Sequence, residues 1–198
     1  MKVVGISCSP RKGKSTFYAL ETCLQAAKEA ASGVETILVE LSEMKINGCI
    51  ACGKCMKILE CSQEDDFVKM IPILSDSELA ALVIATPVYF GSMTSQCKAF
   101  LDRCVMFRRN GFLLRNKVGG VIAVGGVRNG GQELAIQAVQ AAMLVQDMVL
   151  VSEGRPTSHY GATLWSGHPD GIEKDAFGLE TARNLGKRVA EVAGRMHR

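Results

Sequence analysis

The sequence lacks the features of a membrane-spanning or secreted protein. No apolar run reaches the roughly 20 residues that a transmembrane helix needs. The opening MKVVGIS has too short an apolar part for a signal peptide. We therefore expect a cytoplasmic protein with no membrane partner.

Long blocks of one charge are also missing. The chain of 198 residues has a net charge of +3, and its basic residues are spread along its length. This distribution argues against nucleic acid as a partner, although a local cluster can still bind a small anion. Apolar residues make up 47% and charged residues 22%, which is ordinary for a soluble globular protein. The length predicts a single domain over residues 1–198.

Short apolar runs alternate with segments of helical spacing, which is typical of an α/β fold. The predicted strands are KVVGIS (2–7), VETILVEL (34–41), ALVIATPVYF (81–90), VGGVIAVGG (118–126) and MVLVSE (148–153). The predicted helices cover residues 15–31, 67–74, 94–107, 133–148 and 175–195. Five such strands predict a parallel sheet with helices on both faces, which binds ligands beyond the carboxyl ends of its strands. Residues 154–174 are predicted to form a long loop, and loops of that length are often functional.

The loop after the first strand combines hydroxyl groups, cations and a helix start. Its sequence SCSPRKGKST contributes hydroxyl groups, positive charges and one glycine that permits a tight turn: Ser7, Ser9, Ser15, Thr16, Arg11, Lys12, Lys14 and Gly13. Because the N–H groups that begin a helix have no partners within it, this arrangement predicts an anion site. A P-loop nucleotide site is an alternative, but Cys8 stands where that motif needs glycine.

Two further loops follow the third and fourth predicted strands. Both offer free backbone amides, and the first also offers aromatic side chains, as a flat aromatic ligand requires. The candidate residues are Pro87, Val88, Tyr89, Phe90, Gly91 and Ser92 in the first loop, and Gly125, Gly126, Arg128, Gly130 and Gly131 in the second. The alternative for the first loop is a strand end with aromatic residues in the core.

Four of the eight cysteines lie in the segment 47–66. Cys49, Cys52, Cys55 and Cys61 have the spacing C-x2-C-x2-C-x5-C, and the first three match a compact iron–sulfur binding run. Free or redox-active thiols and a zinc site are the alternatives. The other four, Cys8, Cys23, Cys97 and Cys104, are predicted to be small buried apolar residues.

These segments resemble the NADPH-dependent FMN reductase and multimeric flavodoxin superfamily. Its FMN phosphate loop is matched at Gly5, Ser7, Ser9, Pro10, Arg11, Gly13, Ser15 and Thr16, and its second motif at Pro87, Tyr89, Gly91, Thr94, Lys98, Phe100, Leu101, Asp102 and Arg103. The pair Gln132 and Glu133 after the glycine-rich loop fits as well. The cysteine spacing is similar to that of the iron-sulfur flavoproteins, in which an insertion after the second strand holds a [4Fe-4S] cluster.

The resemblance implies a flavodoxin-like fold with strand order 2-1-3-4-5, with FMN bound at the three loops. It also implies an oxidoreductase that moves electrons between NAD(P)H or a reduced partner and a small-molecule or protein acceptor, through a [4Fe-4S] cluster. A homodimer or homotetramer is expected on the same ground. The alternatives are a non-enzymatic electron carrier like a flavodoxin and a cluster-free flavin reductase with redox-active thiols. No catalytic residue is predicted, although His159 and Tyr160 could cover the flavin ring.

Overall fold

The structure is a computed structural model that describes residues 1–196; residues 197 and 198, the end of the predicted domain, lie outside that range. Six strands form its sheet: β1 Lys2–Ser7, β2 Glu35–Glu40, β3 Leu79–Pro87, β4 Val118–Gly125, β5 Val149–Leu150 and β6 Ala162–Trp165. The α-helices are α1 Ser15–Ala30, α2 Ile71–Leu74, α3 Ser95–Arg103, α4 Val105–Arg109, α5 Gln132–Leu144 and α6 Ala176–Met196. Short 3-10 helices cover Lys54–Met56, Asp66–Met70 and Ile172–Lys174.

The sheet is parallel in the order β2-β1-β3-β4-β5, which confirms the predicted order. Two short strands share its fifth position. β5 pairs with the start of β4 at Val118 and Gly119, and β6 pairs with the end of β4 from Ile122 to Gly125. The chain leaves the sheet after β5 and returns to the same edge further along.

The strand β6 lies inside the stretch 154–174, which the sequence predicts as a loop. Ala162 and Leu164 of β6 are fully buried, while Thr163 and Trp165 are half-buried. This alternation is the pattern of a strand, but four residues are too few to make it stand out from their glycine- and serine-rich surroundings. The predicted strand 148–153 is correspondingly shorter in the structure.

The two central strands separate two apolar layers. Every residue of β3 and of β4 is buried, as expected for strands covered on both faces. One layer includes residues of α3 and α5, and the other includes residues of α1 and α6. The four scattered cysteines are buried as predicted, and burial raises the pKa of the Cys23 thiol to about 12.

Helices α1 and α6 touch backbone to backbone. A Cβ atom added at Gly186 of α6 would collide with the carbonyl group of Cys23 in α1. Glycine is therefore the residue that allows the two helices to pack this closely.

Two predicted helices are divided in the structure. The predicted helix 67–74 consists of a 3-10 helix and the single turn of α2, which contains Pro72. Proline has no N–H group to donate, which limits regular helix here. The predicted helix 94–107 splits at Cys104, whose N–H bonds the carbonyl groups of both Phe100 and Leu101. The split directs α4 towards the cysteine segment.

Candidate functional site

The loop between β1 and α1 contains a polar group that the protein leaves unsatisfied. Ser7 is the last residue of β1 and is fully buried, yet its Oγ atom has no hydrogen-bond partner among the described residues. Buried hydroxyl groups are nearly always paired. The next helix begins at Ser15, and its N-cap residue Lys14 makes no side-chain cap. Free helix N–H groups beside an unpaired hydroxyl fit an anion such as the phosphate of FMN.

The other residues of this loop have different roles. The Ser9 hydroxyl accepts a hydrogen bond from the Arg11 N–H at 3.1 Å and so shapes the turn. The Lys12 Nζ atom lies 2.6 Å from Glu43 Oε2, and that contact raises the pKa of Lys12. The Gly13 N–H donates to Glu40 at 2.7 Å. Lys12 and Gly13 are thus engaged with acidic residues, which leaves Arg11 and Lys14 as the loop's cations for an anion.

The loop after β3 is fastened to this first loop. The Thr94 hydroxyl, at the N-cap of α3, donates to the carbonyl oxygen of Cys8 at 2.8 Å. The Thr94 N–H in turn donates to the Thr86 hydroxyl at 3.2 Å. Both threonines are buried. The sequence motif included Thr94 without showing this role, which depends on a contact between residues 86 positions apart.

Between these threonines the chain makes a tight turn with an aromatic tip. The Tyr89 N–H donates to the Ser92 carbonyl and the Ser92 N–H to the Tyr89 carbonyl, at 2.9 and 3.1 Å. Phe90 and Gly91 both have positive φ angles, 49° and 75°. A bulky residue rarely adopts this conformation, and Phe90 is also fully exposed. Such strain is often found at binding sites, where a ligand gives the exposed side chain something to contact.

The glycine-rich loop after β4 is shaped by Gln132, at the start of α5. Its Oε1 atom accepts from the Gly130 N–H and its Nε2 atom donates to the Val127 carbonyl, both at 2.8 Å. A Cβ atom at Gly125 would lie 2.6 Å from Cδ of Gln132 and 2.9 Å from the Val127 carbonyl oxygen, so a larger residue there would displace Gln132 from these bonds. The sequence indicated Gln132 through its position in a motif, but it did not predict this internal function.

The predicted ligand-binding residue Arg128 is held by the protein itself. Its guanidinium group pairs with the buried carboxylate of Asp175 and lies 5.4 Å from the centre of the Trp165 ring. The Asp175 carboxylate also accepts a hydrogen bond from the backbone N–H of Trp165 at 2.7 Å. This pair was not predicted, since Asp175 is 47 residues from Arg128. The Arg128–Asp175 ion pair therefore fixes one side of the glycine-rich loop.

The predicted loops thus meet at one edge of the sheet. A Cβ atom at Gly131 would lie 3.4 Å from the Cα atom of Gly91, so the second and third loops touch. The first and second are joined through Thr94. They follow β1, β3 and β4, and the strand order reverses at β1 and β3. Open parallel sheets bind their ligands at such an edge.

The four cysteines of the segment 47–66 line one small cavity, together with Arg103, Met106 and Arg109. Positive φ angles at Ala51 and Gly53 turn the chain back on itself between the first thiols. Among residues 1–196, no three His, Cys, Asp or Glu side chains converge closely enough to hold a single metal ion, as zinc would require. An iron–sulfur cube holds its thiolates further apart than one ion does, and four thiols around a shared cavity fit it.

Two of the sulfur atoms accept hydrogen bonds. Ser62 Oγ donates to Cys52 Sγ at 3.0 Å, and Arg109 Nη1 donates to Cys55 Sγ at 3.3 Å. The bond from Ser62 lowers the pKa of Cys52. Because the thiolate is the form that binds metal, this environment suits a ligand.

A buried ion pair closes the base of the cysteine segment. Arg103 binds both carboxylate oxygens of Asp65, at 2.8 and 3.0 Å, and both side chains are 2% exposed. Arg103 also donates to the Asn47 carbonyl at 3.0 Å, and its guanidinium carbon lies 4.7 Å from the centre of the Phe67 ring. Burial opposes ionisation of Asp65, but the hydrogen bonds from Arg103 and from the backbone N–H groups of Asn47 and Phe67 together outweigh it and lower the pKa of Asp65. The two ends of the segment are therefore held together.

His159 and Tyr160 lie in the connection between β5 and β6. His159 Nδ1 is 2.8 Å from Oε1 of Glu153, whose side chain is fully buried. With Arg128, Phe177 and other residues, His159 lines a cavity of about 390 Å³ beside the glycine-rich loop. Tyr160 is half exposed.

No described helix has the combination of length and apolar composition that crossing a membrane would take.

Solved structures similar to this one define its fold class. A flavodoxin WrbA-like protein from Agrobacterium tumefaciens aligns with a TM-score of 0.67 at 20% identity, over 98% of this chain and 97% of that one. A flavone reductase aligns with a TM-score of 0.74 at 18% identity, over 100% of this chain and 64% of that one. The fold is flavodoxin-like, as predicted.

Sequence comparison gives the family. Residues 1–163 match the family described as NADPH-dependent FMN reductase. An iron-sulfur flavoprotein of Methanocaldococcus jannaschii is 42% identical over 192 residues, 97% of either chain. One from Methanosarcina thermophila is 36% identical over 192 residues, 97% of this chain and 95% of that protein. The chain belongs to the NADPH-dependent FMN reductase family.

Proposed function

We propose that this protein is an FMN-dependent oxidoreductase that also carries a [4Fe-4S] cluster. In this proposal it accepts reducing equivalents from NAD(P)H or a reduced redox partner and delivers electrons to a small-molecule or protein acceptor. The flavin supplies two-electron chemistry when bound, and the cluster supplies one-electron steps. The similarity to proteins named iron-sulfur flavoproteins along nearly the whole chain supports the pairing of these groups.

The unpartnered hydroxyl of Ser7 carries the flavin part of the proposal. It lies at the carboxyl end of a buried strand, and the loop that follows it leads into the helix that begins at Ser15. In this proposal the Ser7 hydroxyl, the first N–H groups of α1 and the cations of Arg11 and Lys14 hold the phosphate group. The turn at Phe90 and the glycine-rich loop from Gly125 to Gly131 border the ring and exclude water from it.

The cluster part of the proposal depends on Cys49, Cys52, Cys55 and Cys61. Their shared cavity, the two hydrogen bonds to sulfur and the ion pair beneath the segment support four thiolate ligands. The segment follows β2, next to β1 in the sheet. We therefore propose that the cluster exchanges electrons with the flavin rather than serving only to stabilise the fold.

An anaerobic ultraviolet–visible spectrum, with iron and acid-labile sulfide counts on the same sample, tests both groups. Flavin bands with a broad brown shoulder and about four irons per chain would support the proposal. Flavin bands without iron or sulfide would reject the proposed cluster and favour redox-active thiols. Folded, colourless protein that takes up no added FMN would reject the flavin site.

Steady-state assays separate an enzyme from an electron carrier. We expect NAD(P)H oxidation with a quinone, ferricyanide or free flavin as acceptor. Reduction by a protein donor alone would instead identify a carrier like a flavodoxin. NADH and NADPH are compared as donors in the same assay.

We also propose a homodimer or homotetramer. The cysteine segment and the turn after β3 expose several large apolar side chains, which often mark protein contacts. They are Ile50, Met56, Ile58 and Phe90. Light scattering measures the mass in solution, and a monomer at all concentrations would contradict the proposed oligomer.

A reducing compartment such as the cytoplasm, where thiols persist, is the proposed location.

A further inference from the structure

Two arginines, Arg103 and Arg109, line the cavity of the four cysteines. They differ in whether an acidic side chain balances their charge. The charge of Arg103 is matched by Asp65 in a buried pair with two hydrogen bonds. Arg109 has no such partner, since no acidic side chain within residues 1–196 lies at ion-pair distance from it. Its guanidinium group instead donates to the sulfur of Cys55 at 3.3 Å.

The contact between Arg109 and Cys55 is supported by a second bond. Asn110, the next residue, donates through Nδ2 to the Cys55 carbonyl at 2.9 Å and to the Met106 carbonyl at 2.8 Å. The end of α4 is therefore attached to Cys55 through both the main chain and the side chain of that cysteine. This double attachment limits how far Arg109 can move from the sulfur.

The other charged groups around the cavity largely cancel. Lys54 and Glu60 form an ion pair at 2.9 Å, and Arg103 pairs with Asp65. Arg109 is the uncompensated charge among the ionic residues that line the described cavity. An electron that enters a cluster adds one negative charge, and hydrogen bonds to the ligating sulfur atoms favour the reduced form.

We propose that Arg109 makes the cluster easier to reduce, through its charge and its hydrogen bond to Cys55. This inference rests on the proposed function, because it requires the cluster. Arg109 is a positioning and tuning residue here and takes no part in bond making. The cluster accepts one electron, from dithionite in the experiment below, and Arg109 stabilises the added charge.

The test is a redox titration of the reconstituted full-length protein, followed by electron paramagnetic resonance. In Arg109→Gln we expect the ratio of reduced to oxidised cluster at a fixed potential to fall about tenfold. For a one-electron couple that ratio corresponds to a midpoint potential about 59 mV lower. Arg109→Lys keeps the charge but loses the planar guanidinium group, so its potential should lie between those of Arg109→Gln and the unmodified protein.

Arg108→Gln is the matched control. Arg108 precedes Arg109 in α4, and its guanidinium carbon lies 5.3 Å from the centre of the Phe112 ring. The same charge is removed from the same helix, but the bond to Cys55 remains. We expect a potential close to that of the unmodified protein.

Iron and sulfide counts accompany every titration. Fully loaded proteins with equal potentials for Arg109→Gln and the unmodified chain would overturn the inference and leave the proposed function intact. Equal shifts in Arg108→Gln and Arg109→Gln would also overturn it, since net charge alone would explain them. If Arg109→Gln loses the cluster and Arg109→Lys keeps the unmodified potential, Arg109 serves in assembly and the inference is wrong. Unmodified protein that cannot be loaded would refute the proposed cluster together with this inference.

Discussion

We name the run from Ser7 to Thr16 the phosphate loop, after the phosphate group that we propose it binds. It is built in a different way from the cysteine segment. The loop connects a buried strand to a helix, so the core of the protein positions Ser7 and the start of α1. The cysteine segment has one 3-10 turn, Lys54–Met56, and Cys49 and Cys52 are exposed. It depends on the Asp65–Arg103 pair and on the contacts of α4. The sheet and helix α1 therefore position the phosphate loop, whereas only a few side-chain contacts hold the cysteine segment to the rest of the protein.

Removing one thiol should separate the two regions most strongly. In Cys55→Ser we expect loss of nearly all intact [4Fe-4S] cluster, because three thiolates cannot complete the four-ligand set. FMN content should stay near one per chain, since Cys55 does not line the phosphate loop. Iron, sulfide and flavin counts on one sample measure both. A joint loss of flavin and iron would show that the sites are not independent.

Breaking the buried pair tests the attachment of the segment. Asp65→Asn leaves Arg103 charged, buried and without its partner, which we expect to lower the free energy of unfolding by about 3–5 kcal/mol. Cluster content should fall as well. Urea denaturation measures the stability. Asp102→Asn is the control, because Asp102 pairs with Lys98 on the surface of α3 and such pairs contribute about 0.3–0.5 kcal/mol. Similar losses in the two variants would contradict the role of Asp65.

The same pair predicts a dependence on acid. The pKa of Asp65 is lower in the folded chain than its ordinary value, so its contribution to stability is present above the unfolded pKa of about 3.9. It is lost as the pH falls below that value and through the folded pKa. Unfolding free energies measured from pH 6 downwards should fall more steeply in the unmodified protein than in Asp65→Asn. Parallel curves would rule out Asp65 as the group responsible.

Ser7→Ala should have the smallest effect and the most selective one. The Ser7 hydroxyl has no partner among the described residues, so its removal should leave the stability of flavin-free protein almost unchanged. FMN affinity should fall about ten- to 150-fold, since one hydrogen bond to a charged group, which contributes about 1.5–3 kcal/mol, is lost. Fluorescence titration with FMN measures the affinity. Unchanged affinity would indicate that Ser7 does not contact the phosphate.

Prediction from the sequence succeeded best for features that lie within one continuous run of residues. The phosphate loop is a continuous run from Ser7 to Thr16, and its strand, turn and helix start are visible locally. The strand order followed from a family resemblance that covered several motifs. The strand β6 was missed because its four residues give a weak pattern, and a second short strand already filled the expected position.

Interactions between distant residues could not be predicted in the same way. Asp65 and Arg103 are 38 residues apart, and Arg128 and Asp175 are 47 apart. A charged residue alone does not reveal which partner the fold brings to it. The internal role of Gln132 also requires the loop geometry, although its motif marked the position.

The close packing at Gly186 has a consequence for the start of α1. Helix α1 begins beside the phosphate loop, and two turns later its backbone rests on α6 at Cys23. A larger residue at position 186 would push α1 away and tilt the N–H groups at its start. The last helix lies beyond the residues that match the family, yet its contact with Cys23 helps to set the direction in which the start of the first helix points.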